Sequence, residues 1–533
     1  MLPAQANSLR IALNRVTFGA RDTDVALAQS MGWTAWVEDQ LAPPADNDAA
    51  MTSHLNKQVM HIEYAASNPA QTTGTWAAIN EDRGLNYLYA ATPILWNVAT
   101  KAGVSISFNE RTRIRQELAA ATWIRNTHSR YQLREFMVDF WHNHFNIGKN
   151  ENELATALLP VYDRTVIRPH AFGNFRAMLE ATSTSSSMML YLDNWVSNAT
   201  TPNENYSREI MELHTLGGTS YLGTVDPTTV PKGYYGFATG FTDQDIAQAS
   251  RALSGWTVQA GQRFSGVTLP STGEFTFNPP QHNTQAKTLL GLNVTSVVSD
   301  LNQGRMLLNM LAFHPATAAF VVGKLAWRIF GDTPPQEVID RGVKAWLSNQ
   351  LAADQMGHVL RAMLLDGTEV MSAPVAKVRR PYERILALFR TTDIVVNASA
   401  TMTTLLDPLN DGLFAWQAPN GRPDTNAYWL ATGATVATWN LLFQLLSNTA
   451  IVTALTVQTP QSARGSATGV VEYWVGRMIG AALPAASMNA LVTDQATSSG
   501  VPALFRGTNS TSIENAHRRL VSLIATTEEF TLR

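Results

Sequence analysis

The 533-residue sequence contains no cysteine. Disulfides, thiolate metal sites and a cysteine nucleophile are therefore excluded. Charge is also scarce. Asp, Glu, Lys and Arg make up 15% of the chain, against about 25% in a typical soluble domain. The formal net charge is −3, so no basic field points to nucleic acid or to an anionic membrane. No apolar run reaches the roughly 18 residues needed to span a bilayer. The phosphate-cradling glycine loop and the dinucleotide fingerprint are missing, as are the G-x-S-x-G elbow and the H-E-x-x-H zinc helix. No cofactor is expected on these grounds. The start, MLPAQANSLRIALNRVTFGA, lacks the charged and apolar regions of a secretory signal. A mature chain stripped of its signal would read the same way.

What the chain does have is helical periodicity. Hydrophobic residues are 45% of the total, enough for a real core. NERTRIRQELAAATWIRNTHS and YQLREFMVDFWHNHF form two strong amphipathic patterns in series. Further helices are expected near 165–181, 203–216, 243–254, 300–313, 315–330, 335–349, 378–390, 427–447 and 513–528. Alternating β-like runs are sparse and clearest in GWTVQAGQRFSGVTLPSTGEFTFNPPQHN. The expected fold is mainly α: one large multi-helix domain, toroidal or bundle-like, over residues 1–450. It carries a small β insertion near 255–290. A helical region, 451–533, follows as a packed cap or an ordered tail.

The segment NENYSREIMELHTLGG, 203–218, concentrates polar chemistry. Asn203 is a good N-cap, and Glu204 sits favourably at the positive end of the helix. Asn205, Glu209 and Glu212 share one face. Glu209 and Glu212 are like charges one turn apart, a pairing that a cation, a shared proton or a metal would relieve. Arg208 and Glu212 are an i, i+4 pair in the weaker orientation. A solvated or arginine-paired face is the plainer alternative.

DFWHNHF holds Asp139, Trp141, His142 and His144. Asp139 and His142 are i, i+3 neighbours, so the carboxylate could orient the imidazole. His142 and His144 diverge by about 200° on an intact helix. They meet only if the helix ends there, as NIGKNEN suggests. An aromatic core helix with polar residues at its end is the alternative. Asp193, in YLDN, marks either a functional loop or an Asx-turn. His282 is a loop histidine in the β-like region. His314 reads as a helix cap. Arg379 and Arg380 could hold a carboxylate or phosphate, or pair with surface acids.

Several segments, in this order, resemble one family: LNRVTFGA, REFMVDFWHNHF, MMLYLDN, NENYSREIMELHTLGG, FTDQDIAQASRALSGWTV, FNPPQHNTQAKTLLG, HPATAAFVVGKLAWRIF and VRRPYERI. The chain resembles the bacterial DUF1800 family from about residue 9 to 448. LFAWQAPNGRPDTNAYWL resembles a variant of the family's late Gly-Pro-rich motif. The resemblance implies a bacterial protein in the periplasm or outside the cell, with the cytoplasm as the alternative. It also implies a DUF1501-type protein as a partner.

Three functions fit these residues. The first is a hydrolase using paired carboxylates, a glycoside hydrolase acting on a polysaccharide or oligosaccharide. Its catalytic residues would come from Glu209, Glu212, Asp139 and Asp193. Asn205, Arg208, Trp141, His142, His144 and His282 would contact substrate, and no metal is assigned. The second is a metal-dependent enzyme using histidines and carboxylates from separate helices. EIMELH departs from the Glu-x-x-His spacing of carboxylate-bridged bundle sites. The third is a non-enzymatic secreted binding or scaffold protein whose motifs are buried polar networks.

Overall fold

A computed structural model describes residues 2–533 apart from 43–48, 69, 71, 73, 102–103, 149–152, 265–266, 295–299, 373–376, 449–453 and 498–509. The fold is mainly α, with small two-stranded sheets. Five helices frame the site. α1 is Phe108–His128, α2 Gln132–His144, α3 Glu204–Glu212, α4 Pro315–Phe330 and α5 Pro381–Thr391.

Their ends follow from local chemistry. The Ser107 hydroxyl accepts from the Glu110 N–H at 3.2 Å and starts α1. Asn203 caps α3 by accepting from the Asn205 N–H at 2.8 Å. Pro315 and Pro381 open α4 and α5 at positions where no N–H is needed. His314 caps α4 as expected, its Nδ1 accepting from the Ala316 N–H at 3.0 Å. α1 and α2 bury Ile114, Leu118, Trp123, Leu133, Phe136 and Trp141. Their aliphatic and ring surfaces form the centre of the core.

Three expected helices are shorter or broken. The 165–181 pattern begins in a π-helical turn, Asp163–Ile167, and restarts as Phe175–Ser183. Pro169 and Gly173 interrupt it, and Asn174 caps the second piece. The 203–216 pattern stops at Glu212. The 427–447 pattern divides into Asn426–Trp429 and Thr432–Ser447.

The β insertion forms between helices as expected. Trp256–Ala260 pairs antiparallel with Ser271–Phe277, with a bulge between Val258 and Ala260. Lys287–Leu289 pairs with Leu292–Val294, so the insertion runs slightly past 290. A second hairpin, Val59–Tyr64 with Ile79–Gly84, was not expected. INEDRG has no buried residue in its strand and so shows no alternation. The composition of 496–511, rich in Gly, Ser and Thr, predicts a loop, and residues 498–509 of it lie outside the described residues.

The C-terminal helices pack onto the rest. Val471, Trp474, Leu520 and Ile524 belong to the same apolar core as Leu13, Leu118 and Leu386. Lys377 and Arg533 exchange backbone hydrogen bonds of 3.4 and 2.9 Å.

Candidate functional site

α2, α4, the start of α5 and the 420–425 loop surround a cavity of about 380 Å³. α4 contributes Phe320, Lys324 and Arg328, spaced i, i+4, i+8 along one face, with Trp327 beside them. α2 contributes Asp139, Asn143 and His144. Arg380 comes from the N-terminal boundary of α5, and Arg422 and Asp424 from the loop.

The loop is held to α2 by one side chain. The Asn143 Nδ2 donates to the Arg422 carbonyl at 3.1 Å, and its Oδ1 accepts from the Arg422 N–H at 2.7 Å. Next to this pair the chain comes so close that only glycine fits. Gly421 has φ +74°, and a Cβ there would lie 2.1 Å from the Asn143 carbonyl oxygen. Gly421→Ala is expected to cost about 1–3 kcal/mol through backbone strain and loss of this docking. A fall in the thermal midpoint together with faster proteolysis within 413–430 would show it.

Charge on the cavity wall is dense and ordered. The Asp139 side chain is 10% exposed, and the Arg380 Nη2 reaches both its oxygens at 2.6 Å. The Arg328 Nη2 donates to the same carboxylate at 2.9 Å. Burial pushes the Asp139 carboxyl up, but Arg380 and Arg328 outweigh it and hold it below the usual carboxylate range. The acids behind it are likewise taken. Asp411 accepts from the Tyr382 N–H at 2.9 Å and lies 3.2 Å from the Arg422 Nε. Glu383 lies 3.3 Å from Arg533 and pairs with Arg328. Asp424 accepts from Lys377 at 2.6 Å.

Two buried histidines stand behind Lys324. The His144 Nε2 is 3.0 Å from the His214 carbonyl oxygen, and its Nδ1 has no partner among the described residues. Neither ring nitrogen of His214 has one either. Burial first, and then the nearby Lys324 charge, pull the His214 imidazole down to about 3 and leave it neutral. Burial pulls the Lys324 ammonium itself down to about 8.

The acidic helix runs to the cavity edge. Leu213, just past its end, lines the cavity, and Glu209 lies one turn earlier on the same face. Glu209 is half-buried, and burial, then the charge of Glu212, push its carboxyl up while Arg208 opposes them. Among the described residues neither Glu209 nor Glu212 has a hydrogen-bond or ion-pair partner. Arg208 turns instead to Asp243, 3.4 Å away, and to the face of Tyr221. The Tyr191 hydroxyl donates to the Gln417 carbonyl. Burial pushes that phenol up to about 12, and the charge of Glu209 adds to the rise. The charge of Glu209 thus acts on a residue that holds the 413–430 loop.

Residues 11–532 match the model of a family described as a protein of unknown function, DUF1800. The chain belongs to the DUF1800 family. The match runs through the C-terminal helices, beyond the 9–448 stretch that carries the quoted motifs. Searches of curated proteins and of solved structures returned no match.

In this DUF1800 protein the remaining expected site residues fall elsewhere. Trp141 is buried, with its indole N–H donating to the Ala171 carbonyl at 3.1 Å. His142 does not use Asp139. Its Nε2 lies 2.9 Å from Asp163, a carboxylate also held by Arg168 at 2.8 Å. His142 and His144 point apart, as the helical period requires. His282 is buried in the β insertion, 2.8 Å from the Ser254 carbonyl and 3.0 Å from Gln303. Asp193 is exposed at φ +59°. The Asn203 side chain donates to the Asp193 carbonyl at 2.9 Å, and Asn205 donates to the Leu192 carbonyl at 3.2 Å. Asn205 thus fastens the preceding turn to α3. No group of three or more His, Asp or Glu side chains among the described residues has the arrangement of a metal site.

Sequence reasoning missed Lys324, Arg328, Arg422, Asp424 and His214. One signal for the first two was visible. Two cations at i, i+4 interrupt the apolar helix AAFVVGKLAWRIF, and an inward charge in such a helix needs either a partner or a site. Arg380 was considered as a carboxylate holder, and the carboxylate it holds is Asp139.

Proposed function

We propose that this DUF1800 protein is a hydrolase that acts on a carbohydrate bound at the cavity, with Glu209 as the general acid. The observation that carries the reading is Glu209 itself: half-buried, without an ion-pair partner among the described residues, and one turn from a cavity-lining residue. Its raised carboxyl is the state an acid catalyst needs. Glu212, at i+3, is the second carboxylate of the pair. Trp327 supports a sugar rather than an apolar ligand. It lines the cavity yet is 45% exposed. An indole face beside hydrogen-bonding charges suits the apolar and polar faces of a pyranose ring.

Purified protein should release new reducing ends from at least one member of a polysaccharide and oligosaccharide panel. Trp327→Ala should raise KM several-fold, about 0.5–1.5 kcal/mol of stacking, with little change in kcat. Absence of hydrolysis across the panel, or a Trp327→Ala variant with unaltered KM, would count against the reading.

A further inference from the structure

Four cations line the cavity, Lys324, Arg328, Arg380 and Arg422, against two carboxylates, Asp139 and Asp424. Behind them Lys377 and Arg533 add two cations, and Glu383 and Asp411 two acids. The close ion pairs of these acids all go to cations other than Lys324, which feels the charge of Asp424 only at longer range. Asp139 belongs to Arg380 and Arg328, Asp411 to Arg380 and Arg422, Glu383 to Arg328 and Arg533, and Asp424 to Lys377 and, at 4.0 Å, to Arg328. Lys324 has no hydrogen-bond or ion-pair partner among the described residues, and its ammonium rests 5.4 Å from the centroid of the Phe320 ring. The neighbouring rings of His144 and His214 are buried, and three of their four nitrogens have no partner among the described residues. The Nε of Arg380, also buried, likewise has no hydrogen-bond partner among the described residues.

A cation removed from water without a counter-charge is costly. Here the surrounding acids are committed elsewhere, and the open side of the cation faces a cavity large enough for a small ligand. We infer that the cavity is an oxyanion site in which Lys324 pairs with a carboxylate, sulfate or phosphate group carried by a small soluble ligand. The guanidinium edges of Arg380 and Arg422 lie on the same wall and supply further positive potential. Asp139 is then a part of the wall that fixes the arginines in place. Combined with the hydrolase reading, this specifies an acidic sugar. The inference itself requires only occupancy of the cavity and does not depend on catalysis.

The test is calorimetric titration and thermal denaturation of the full chain at constant ionic strength. The probes are glucuronate, sulfate and phosphate, with methyl glucoside as the neutral control. At least one anion should bind and raise the thermal midpoint. The planar and tetrahedral probes distinguish a carboxylate site from a sulfate or phosphate site. Lys324→Met should weaken that binding at least about tenfold, the scale of a charge-assisted hydrogen bond, and Lys324→Arg should restore most of it. Because Lys324→Met removes a partly buried charge, its thermal midpoint without ligand should not fall, which separates lost binding from lost folding. The inference is overturned if no anion binds, if Lys324→Met binds as tightly as wild type, or if methyl glucoside matches glucuronate. Anion binding without any carbohydrate hydrolysis would uphold it and remove the hydrolase reading. Hydrolysis of a carbohydrate by wild-type protein that binds none of the anions would do the reverse.

Discussion

Asp139→Ala should destabilise the protein by about 3–5 kcal/mol, the cost of leaving a buried ion pair half-broken. The loss is large because one carboxylate serves two guanidiniums. Arg380 contacts both its oxygens at 2.6 Å and Arg328 contacts one at 2.9 Å. With the carboxylate gone, Arg380 keeps the more distant Asp411, and Arg328 keeps Glu383 and, at 4.0 Å, Asp424. Asp139→Asn tests charge separately from shape, since the amide fills the same space and still offers one acceptor. The folded-state pKa of Asp139 lies below its ordinary value. Its contribution is therefore present at pH 7 and starts to fade only as pH falls below the unfolded value of about 3.9. The gap between wild type and Asp139→Asn in denaturant midpoint should accordingly be full at neutral pH and narrow in acid. An Asp139→Ala protein as stable as wild type at pH 7 would mean that the arginines find other partners.

Glu209→Gln carries the second large effect. If Glu209 donates the proton to the leaving oxygen, the amide should slow hydrolysis roughly 10²–10⁴-fold. The same substitution should not weaken the fold. The Glu209 carboxyl is pushed above its usual value, so its folded form favours the proton. That preference contributes stability below the unfolded pKa and is lost as pH rises through the folded one. At neutral pH the glutamine, which carries no charge beside Glu212, should therefore be at least as stable as the glutamate. The wild-type rate should fall on the alkaline side as Glu209 loses its proton, and Glu209→Gln should lack that limb. Near-normal turnover in Glu209→Gln would assign the residue a structural role and move the search for an acid to Glu212.

The helical fold was legible in the sequence because α1, α2 and α4 carry long patterns of one period, with His314 and Pro315 marking the start of α4. Breaks were harder to place. Asp163–Ile167 has helical composition but winds as a π turn ahead of Pro169. The acidic pair was visible by face analysis, and the structure gives Glu209 and Glu212 no ion-pair partner among the described residues. Their separation from Asp139 was not legible. Face analysis works within one helix, whereas Asp139 is claimed by Arg328 and Arg380 from α4 and the edge of α5. The cavity was missed for the same reason. Its walls come from segments far apart in the chain, and the fact that Lys324 has no ion-pair partner among the described residues emerges only once every acid has been assigned.

The Asn143–Arg422 clasp joins residues 279 positions apart. Closing so long a span is entropically slow, and contacts of this kind form after local helices have condensed. During synthesis, α2 would be made long before the loop that completes the cavity. A chain halted before Gly421 would lack Arg422 and Asp424 and also the C-terminal helices that share the core. Ligand affinity would thus serve as a reporter of full-length maturation, since helix content can recover in a refolding chain while the cavity remains open on one side.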